Sequence, residues 1–202
     1  MILDMHTHTN QSSCGVMNIQ DMIEIAAGCG LDGICITDHQ TMAVRHYITE
    51  GPQTNGLVVI FGMEYETPDG DFLIFGPYEH IAQKMEADEL LNYVRQTHGV
   101  AVAAHPFRGD RPASRRFLQN RQCTAIETMN GRNSEIENLK AIQWADRFAL
   151  TATGGSDAHK PDELGRIVTR FPAPVRSRND LIQALHHGLC RPEWRMVHKM
   201  AQ

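Results

Sequence analysis

Ile2-Leu3-Asp4-Met5-His6-Thr7-His8 opens the chain as a short apolar run that ends in two histidines. Ile2–Met5 reads as a strand. In extended backbone, residues i and i+2 share a face, so His6 and His8 project the same way and can clasp one ion. The pattern recurs along the chain. Gly33–Thr37 leads into Asp38-His39, Leu57–Met63 into Glu64, and Val100–Ala104 into His105-Pro106. Thr124–Thr128 carries Glu127, with Asn130 close behind, and Leu150–Thr153 leads into Gly154-Gly155-Ser156-Asp157-Ala158-His159. Asp157 and His159 repeat the i, i+2 spacing of the first pair.

Phe72–Phe75 and Ile167–Phe171 add two further strands, and helical patterns fall between several of them. Ile19–Cys29 places Ile19, Met22, Ile23 and Ala26 on one face, with Asn18 as N-cap and Gly30 past the end. Asp88–His98 stops at Gly99, and Ser134–Phe148 is a long helix. Ser177-Arg178-Asn179-Asp180 resembles a capping box for a helix ending at Gly188. The alternation implies a parallel sheet with helices outside. Glu66-Thr67-Pro68-Asp69-Gly70-Asp71 is a turn signal between apolar runs, so Leu57–Phe75 is expected to hold a hairpin-like excursion. In parallel α/β folds, sites assemble at the C-terminal edge of the strands. A radial arrangement converges six such edges on one mouth more readily than a flat sheet, so the expected architecture is one α/β domain with a closed or nearly closed barrel.

The chain has 202 residues, 42% hydrophobic and 21% charged, with a formal net charge of -5. That fits one globular domain and gives no global drive toward nucleic acid or anionic lipid. No run is long and apolar enough to span a bilayer, and Met1–His6 lacks the form of a signal peptide, so a cytoplasmic location is expected. Cys14, Cys29, Cys35, Cys123 and Cys190 are odd in number, widely spread and without a CxxC pair. They read as mostly buried thiols in a reducing compartment.

Histidine nitrogen with carboxylate oxygen suits Zn, Mn or Fe, whereas an all-oxygen set suits Mg or Ca. A Glu such as Glu64 can bridge two ions through its two oxygens. Adjacent ions can polarise a phosphoryl oxygen and lower the pKa of a bound water. His46, His98, His186, His187 and His198 fall on helical or terminal patterns and read as ordinary structural histidines. Asp38 could be only a helix N-cap, and Glu127 only a partner for a backbone group.

Taken in order, Asp4-Met5-His6-Thr7-His8-Thr9, Ile36-Thr37-Asp38-His39, Gly62-Met63-Glu64, Ala104-His105-Pro106 and Gly155-Ser156-Asp157-Ala158-His159 resemble the motifs of the PHP (polymerase and histidinol phosphatase) family. The resemblance spans essentially the whole chain. It implies a distorted (β/α)7 TIM-like barrel of the stand-alone kind, phosphoesterase chemistry, and two or three divalent metal ions. Carried over by position, His6, His8, Glu64 and Asp157 hold one ion, Glu64 and His105 a second, and His39 with His159 a third. Asp157 is expected also to take a proton from the bridging water. Two places depart from the family pattern. Where a His or Asp is usual after the HxH, this chain reads Asn10-Gln11-Ser12-Ser13-Cys14, which leaves Cys14, a hydroxyl or a water. After Gly76 the one candidate ligand is His80, slightly displaced.

A phosphate ester needs cations beyond the metals. Arg108, Arg111, Arg115, Arg116 and Arg121 crowd a loop-to-helix stretch after His105. A solvated helix face accounts for Arg115, Arg116 and Arg121, which leaves Arg108, with Arg132 second, as the expected substrate-binding arginines. The expected partner is a small phosphorylated metabolite or nucleotide. The alternatives are amide or lactone hydrolysis, nucleic-acid processing, and a non-catalytic metal-binding module. Oligomeric state is not encoded in these motifs.

Overall fold

The computed structural model describes residues 1–109 and 111–195; His198 lies outside them. The strands are β1 (Ile2–Thr7), β2 (Gly33–Ile36), β3 (Gly51–Pro52), β4 (Val58–Phe61), β5 (Met63–Thr67), β6 (Gly70–Phe75), β7 (Val100–Ala103), β8 (Ala125–Asn130), β9 (Thr151–Gly155), β10 (Ile167–Arg170) and β11 (Arg191–Trp194). The helices are α1 (Ile19–Gly28), α2 (Ala87–Gln96), α3 (Arg115–Gln119), α4 (Glu135–Phe148) and α5 (Arg178–His186), with 3-10 turns at Ala43–His46 and Pro161–Glu163. Local chemistry sets the helix starts. Asn18 accepts a bond from Asp21 N, and Ile19, Met22, Ile23 and Ala26 are the buried face of α1. The full capping box is at Ser134 and Glu137 of α4. At α5, Ser177 accepts from Asp180 N, but the Asp180 carboxylate takes Arg176 N instead of completing a box.

No closed barrel forms among the described residues, and the TIM-like detail of the expectation is not confirmed. One sheet runs β11-β10-β1-β2-β4-β3 and the other β5-β6-β7-β8-β9. The triplets β1, β2, β4 and β7, β8, β9 are parallel, as the alternation implied. The β5–β6 hairpin and the β10–β11 pair are antiparallel and interrupt the ring. Between the sheets, strand pairing shrinks to isolated bridges, Thr7 with Ala158 and His39 with Glu64. At the second seam β4 bends into β5 across Gly62. A Cβ there would stand 2.5 Å from the Phe75 ring, so only glycine lets the chain pass.

Two apolar layers flank the sheets. One packs Ile34, Val59, Phe61, Ile74 and Ile126 beneath residues of α1 to α4; the other joins Leu3, Met5, Ile60, Leu73 and Val102 to α5 through Leu181 and Leu185. Of the cysteines, only Cys35 and Cys123 are buried, while Cys14 is exposed and Cys29 and Cys190 are intermediate. The expectation of mostly buried thiols is therefore corrected. No described helix is long and apolar enough to cross a membrane.

Candidate metal centre

A shift in strand register aims the first two ligands. β1 pairs with β2 through Leu3–Gly33 and Asp4–Ile34, then slips before Thr7–Ile36. Such bulges re-aim side chains beside functional sites. Thr7 Oγ1 turns to Met22 of α1, and His6 and His8 meet instead, with ring centroids 5.0 Å apart. β8 slips similarly between Glu127 and Met129. His105 and Asp157 hold φ of 27° and 55°, left-handed values that strain a non-glycine residue and concentrate at functional sites.

Glu64 sits at the middle. Its Oε2 lies 3.2 Å from His6 Nε2, 3.3 Å from His8 Nε2 and 3.1 Å from His39 Nδ1, while its Oε1 lies 2.8 Å from His105 Nε2. Asp157 Oδ1 is 3.6 Å from His6 Nε2 and 3.3 Å from His8 Nε2. The His159 ring stacks on His8 at 4.2 Å. Three groups of donor atoms each lie within 4.8 Å of one another: His6, His8, Asp157; His6, Glu64, His105; and His8, His39, His159. All seven residues expected at the main site are thus brought together. His6, His8, Glu64, His105 and Asp157 are buried.

These residues fit metal ions. His6 Nε2, His8 Nε2, His39 Nδ1 and Glu64 Oε2 are buried and have no hydrogen-bond partner among the described residues. Buried polar atoms are otherwise nearly always paired, so a convergent unpaired set signals an ion. The protonation states of His159, His39, Glu64 and Asp157 agree. Burial, then the neighbouring His8 charge, lowers His159 to about 4, and burial lowers His39 as well, so both rings offer lone pairs at neutral pH. Burial alone would raise Glu64 and Asp157. His6 and the other imidazoles overcome it, with Arg108 helping at Asp157, and hold both carboxyls well below the usual range. Burial opposes charge on His6 too, but Asp157, Glu127 and Glu64 raise it well above its ordinary value.

His80 does not join the cluster. It is exposed, and none of the three donor groups includes it. Cys14 is exposed and also outside them. Partial burial and the Glu64 and Asp157 carboxylates push its thiol up, which disfavours the thiolate a zinc ligand requires. Arg108 donates to Asp157 Oδ2 at 2.7 Å and to Asn130 and Asn133, and Arg132 Nη1 is 2.7 Å from His159 Nδ1. Both expected arginines therefore stand at the centre. Arg116 pairs instead with Asp69 and Asp88.

Sequence reasoning missed Asp71. It is buried, 3.9 Å from His105 Nε2 and 2.8 Å from Arg111 Nη2. Burial, then the Glu64 charge, raises its carboxyl to about 6. It also left the three supporting carboxylates undeveloped. Glu127 accepts His6 Nδ1 at 3.0 Å and His105 N at 2.8 Å. Asp38 takes Thr9 N and Oγ1 and Ser12 Oγ, and Ser12 Oγ lies 3.4 Å from His8 Nδ1. Asp4 takes Ser156 N, Ser156 Oγ and Gly165 N.

Known proteins resemble the chain in sequence and fold. The chain is 28% identical over 183 residues to an uncharacterized protein of Methanocaldococcus jannaschii, covering 85% of this chain and 70% of that one. It is 33% identical over 113 residues to a 3',5'-nucleoside bisphosphate phosphatase of Chromobacterium violaceum, covering 54% of this chain and 35% of that one. The fold is similar to that of PsfC from Pseudomonas syringae, with a TM-score of 0.77 at 22% identity over 96% of this chain and 91% of that one. The PHP domain profile matches residues 4–157 and the PHP-associated profile residues 135–190. The chain therefore belongs to the PHP domain family.

Proposed function

We propose that the chain hydrolyses a small phosphorylated metabolite or nucleotide. The observation that carries this reading is the set of buried, unpaired donor atoms around Glu64, with two guanidinium groups at its edge. The ions in this reading are two or three of Zn, Mn or Fe. His6, His8, Glu64 and Asp157 would hold one, Glu64 and His105 a second, and His39 with His159 a third. Asp71, 3.9 Å from His105 Nε2, would add an oxygen donor to the second. Bound ions supply Lewis-acid polarisation of the phosphoryl group and a water of lowered pKa.

The side chains do the rest. Asp157, kept ionised, presents Oδ1 toward the histidines and accepts the proton of the attacking water. Its other oxygen is held by Arg108, which fixes the carboxylate plane. Arg132 lies outermost of the two and takes the phosphate oxygens. The His159 Nδ1 that now faces Arg132 also lies 2.9 Å from Asp157 O. With Nδ1–H donating to that carbonyl, His159 would offer Nε2 to an ion and Arg132 would be free to meet substrate.

A screen under Mn, Zn and Fe loading tests the reading. Phosphate release from nucleotides, bisphosphorylated nucleotides or sugar phosphates is expected. Turnover of amides or lactones alone, of oligonucleotides alone, or of nothing would overturn it. Asp157→Asn is expected to lower kcat by about 10²- to 10⁴-fold; full activity at full metal content would remove Asp157 from the proton step.

A further inference from the structure

The third of the three donor groups is short of ligands. It consists of His8, His39 and His159, whose donor atoms lie within 4.8 Å of one another. His8 Nε2 already faces Glu64 Oε2 and Asp157 Oδ1, both at 3.3 Å, where the first ion would sit. That leaves two neutral rings, His39 and His159, for a divalent cation. An open catalytic site ordinarily has three protein ligands. Neither Cys14 nor His80 belongs to the group.

β5 offers the missing donor. Glu64 and Glu66 stand two residues apart on this strand and share its face. Gln40, next to His39, ties its loop to both. Its N donates to Glu64 O at 2.9 Å and its Nε2 to Glu66 O at 3.0 Å. Glu66 Oε1 thereby lies 3.3 Å from His39 Nδ1, and Glu64 Oε2 lies 3.1 Å from the same atom. His39 Nδ1 is buried, yet it makes a hydrogen bond with neither oxygen. Donors held at about 2.1 Å from one ion stand roughly 3.0 to 3.4 Å apart, so both spacings are those of ligands around a cation. We propose that Glu66 is a ligand of the third ion and completes the set begun by His39 and His159, an inference that rests on the metal-loaded phosphoesterase reading above. Its carboxylate offsets charge that two imidazoles leave uncompensated. The other contact of Glu66 is Arg111 Nη1 at 3.3 Å. Ion pairs between partly exposed groups are weak, so this one does not hold Glu66 against a divalent cation. Arg111 still has Asp71 Oδ1 at 2.8 Å.

Calorimetric titration of the full chelator-stripped chain with Mn, and elemental analysis after loading, test the assignment. The wild type is expected to bind three ions in resolvable steps. Glu66→Gln keeps the volume and is expected to weaken the third step at least about 100-fold, the upper end for a residue that only orients a ligand. Its first two steps are expected to stay at wild-type affinity, which also shows that the variant is folded. Arg111→Gln removes the ion pair but keeps the carboxylate, and is expected to hold the third ion at least as tightly as the wild type. In a His39→Ala background, Glu66→Gln is expected to add little further loss. A third step of wild-type affinity in Glu66→Gln would overturn the proposal, and so would an equal weakening in Arg111→Gln. A wild type that saturates at two ions would overturn it too, while phosphate release by that two-ion chain would leave the phosphoesterase reading standing. Three bound ions lost to two in Glu66→Gln, with no phosphoester turned over by the wild type, would support the ligand and remove the reading.

Discussion

Glu127 holds three partners at once: His6 Nδ1 at 3.0 Å, His105 N at 2.8 Å and Asn130 Nδ2 at 2.9 Å. By accepting from His6 Nδ1 it fixes the ring's orientation, which turns Nε2 toward Glu64. Glu127→Gln keeps the volume but cannot accept from all three donors. It is expected to weaken metal binding about 10- to 100-fold while the chain stays folded; chelator-competition titration reads this, and unchanged affinity would remove Glu127 from the ligand-orienting set. Asp4 acts on stability. Burial raises its carboxyl to about 6, against the bonds from Ser156 and Gly165 that lower it. A folded-state pKa above the unfolded one means that the contribution is full below about 4 and is lost as pH rises through about 6. Denaturant midpoints of the metal-free chain between pH 4 and 7 check this. The wild-type profile is expected to contain this falling component across that window, and Asp4→Asn, though less stable overall, is expected to lack it.

At the scale of elements, the seam between β1 and β9 sets the site's geometry. Gly155 ends β9 against β1, and a Cβ there would stand 2.4 Å from His6 Cβ and 2.7 Å from His6 N. Gly155→Ala must push β1 away or shift His6. It is expected to cost about 1–3 kcal/mol of stability and to lower metal occupancy with it; elemental analysis and thermal melts check both, and a wild-type ion count would show that the seam has slack. This seam also marks what the sequence could and could not reveal. His6, His39, Glu64 and His105 were legible because each sits in or just after a strand of strong apolar pattern, Asp157 because it repeats the i, i+2 spacing with His159, and the turn at Thr67–Gly70 was legible from Pro68-Asp69-Gly70. Asp71 was not. It starts an antiparallel strand, whose beginning, not its end, reaches the mouth of the site. The register slips in β1 and β8 leave no residue-level signature, yet they decide where His6 and Glu127 point. The open seams escaped for a related reason. Alternating patterns identify strands but say nothing of whether the last pairs with the first, and β11, reading Arg-Pro-Glu-Trp, has no apolar pattern at all.

For the molecule as a whole, the site is a concentrated electrostatic load at the meeting of both sheets. His6, His8, Glu64, His105, Asp157, Asp71 and Glu127 are all buried there, contributed by strands of each sheet and the loops that follow them. Without ions, imidazoles together with Arg108 and Arg111 at the edge balance the carboxylates. Because the seams carry only isolated bridges, ligands drawn from both sheets around shared ions would act as the missing closure. Metal binding and fold stability should therefore be linked. An ion that binds only the folded chain contributes about 2.7 kcal/mol at a free concentration 100 times its Kd. In a domain of this size each kcal/mol moves Tm by about 2–4 °C, so one filled site is expected to raise Tm by about 5–10 °C. Thermal melts of chelator-stripped chain, titrated with Mn or Zn, check the linkage. His105→Ala and His39→Ala serve as probes of separate donor groups. If the groups fill independently, each variant should lose part of the metal-induced rise and the pair should lose the sum of both parts, since distant sites add. If the double variant loses no more than one single variant, the ions share one cooperative cluster through Glu64. A stripped chain whose Tm no metal raises would mean that the seams are already as tightly closed as the fold requires.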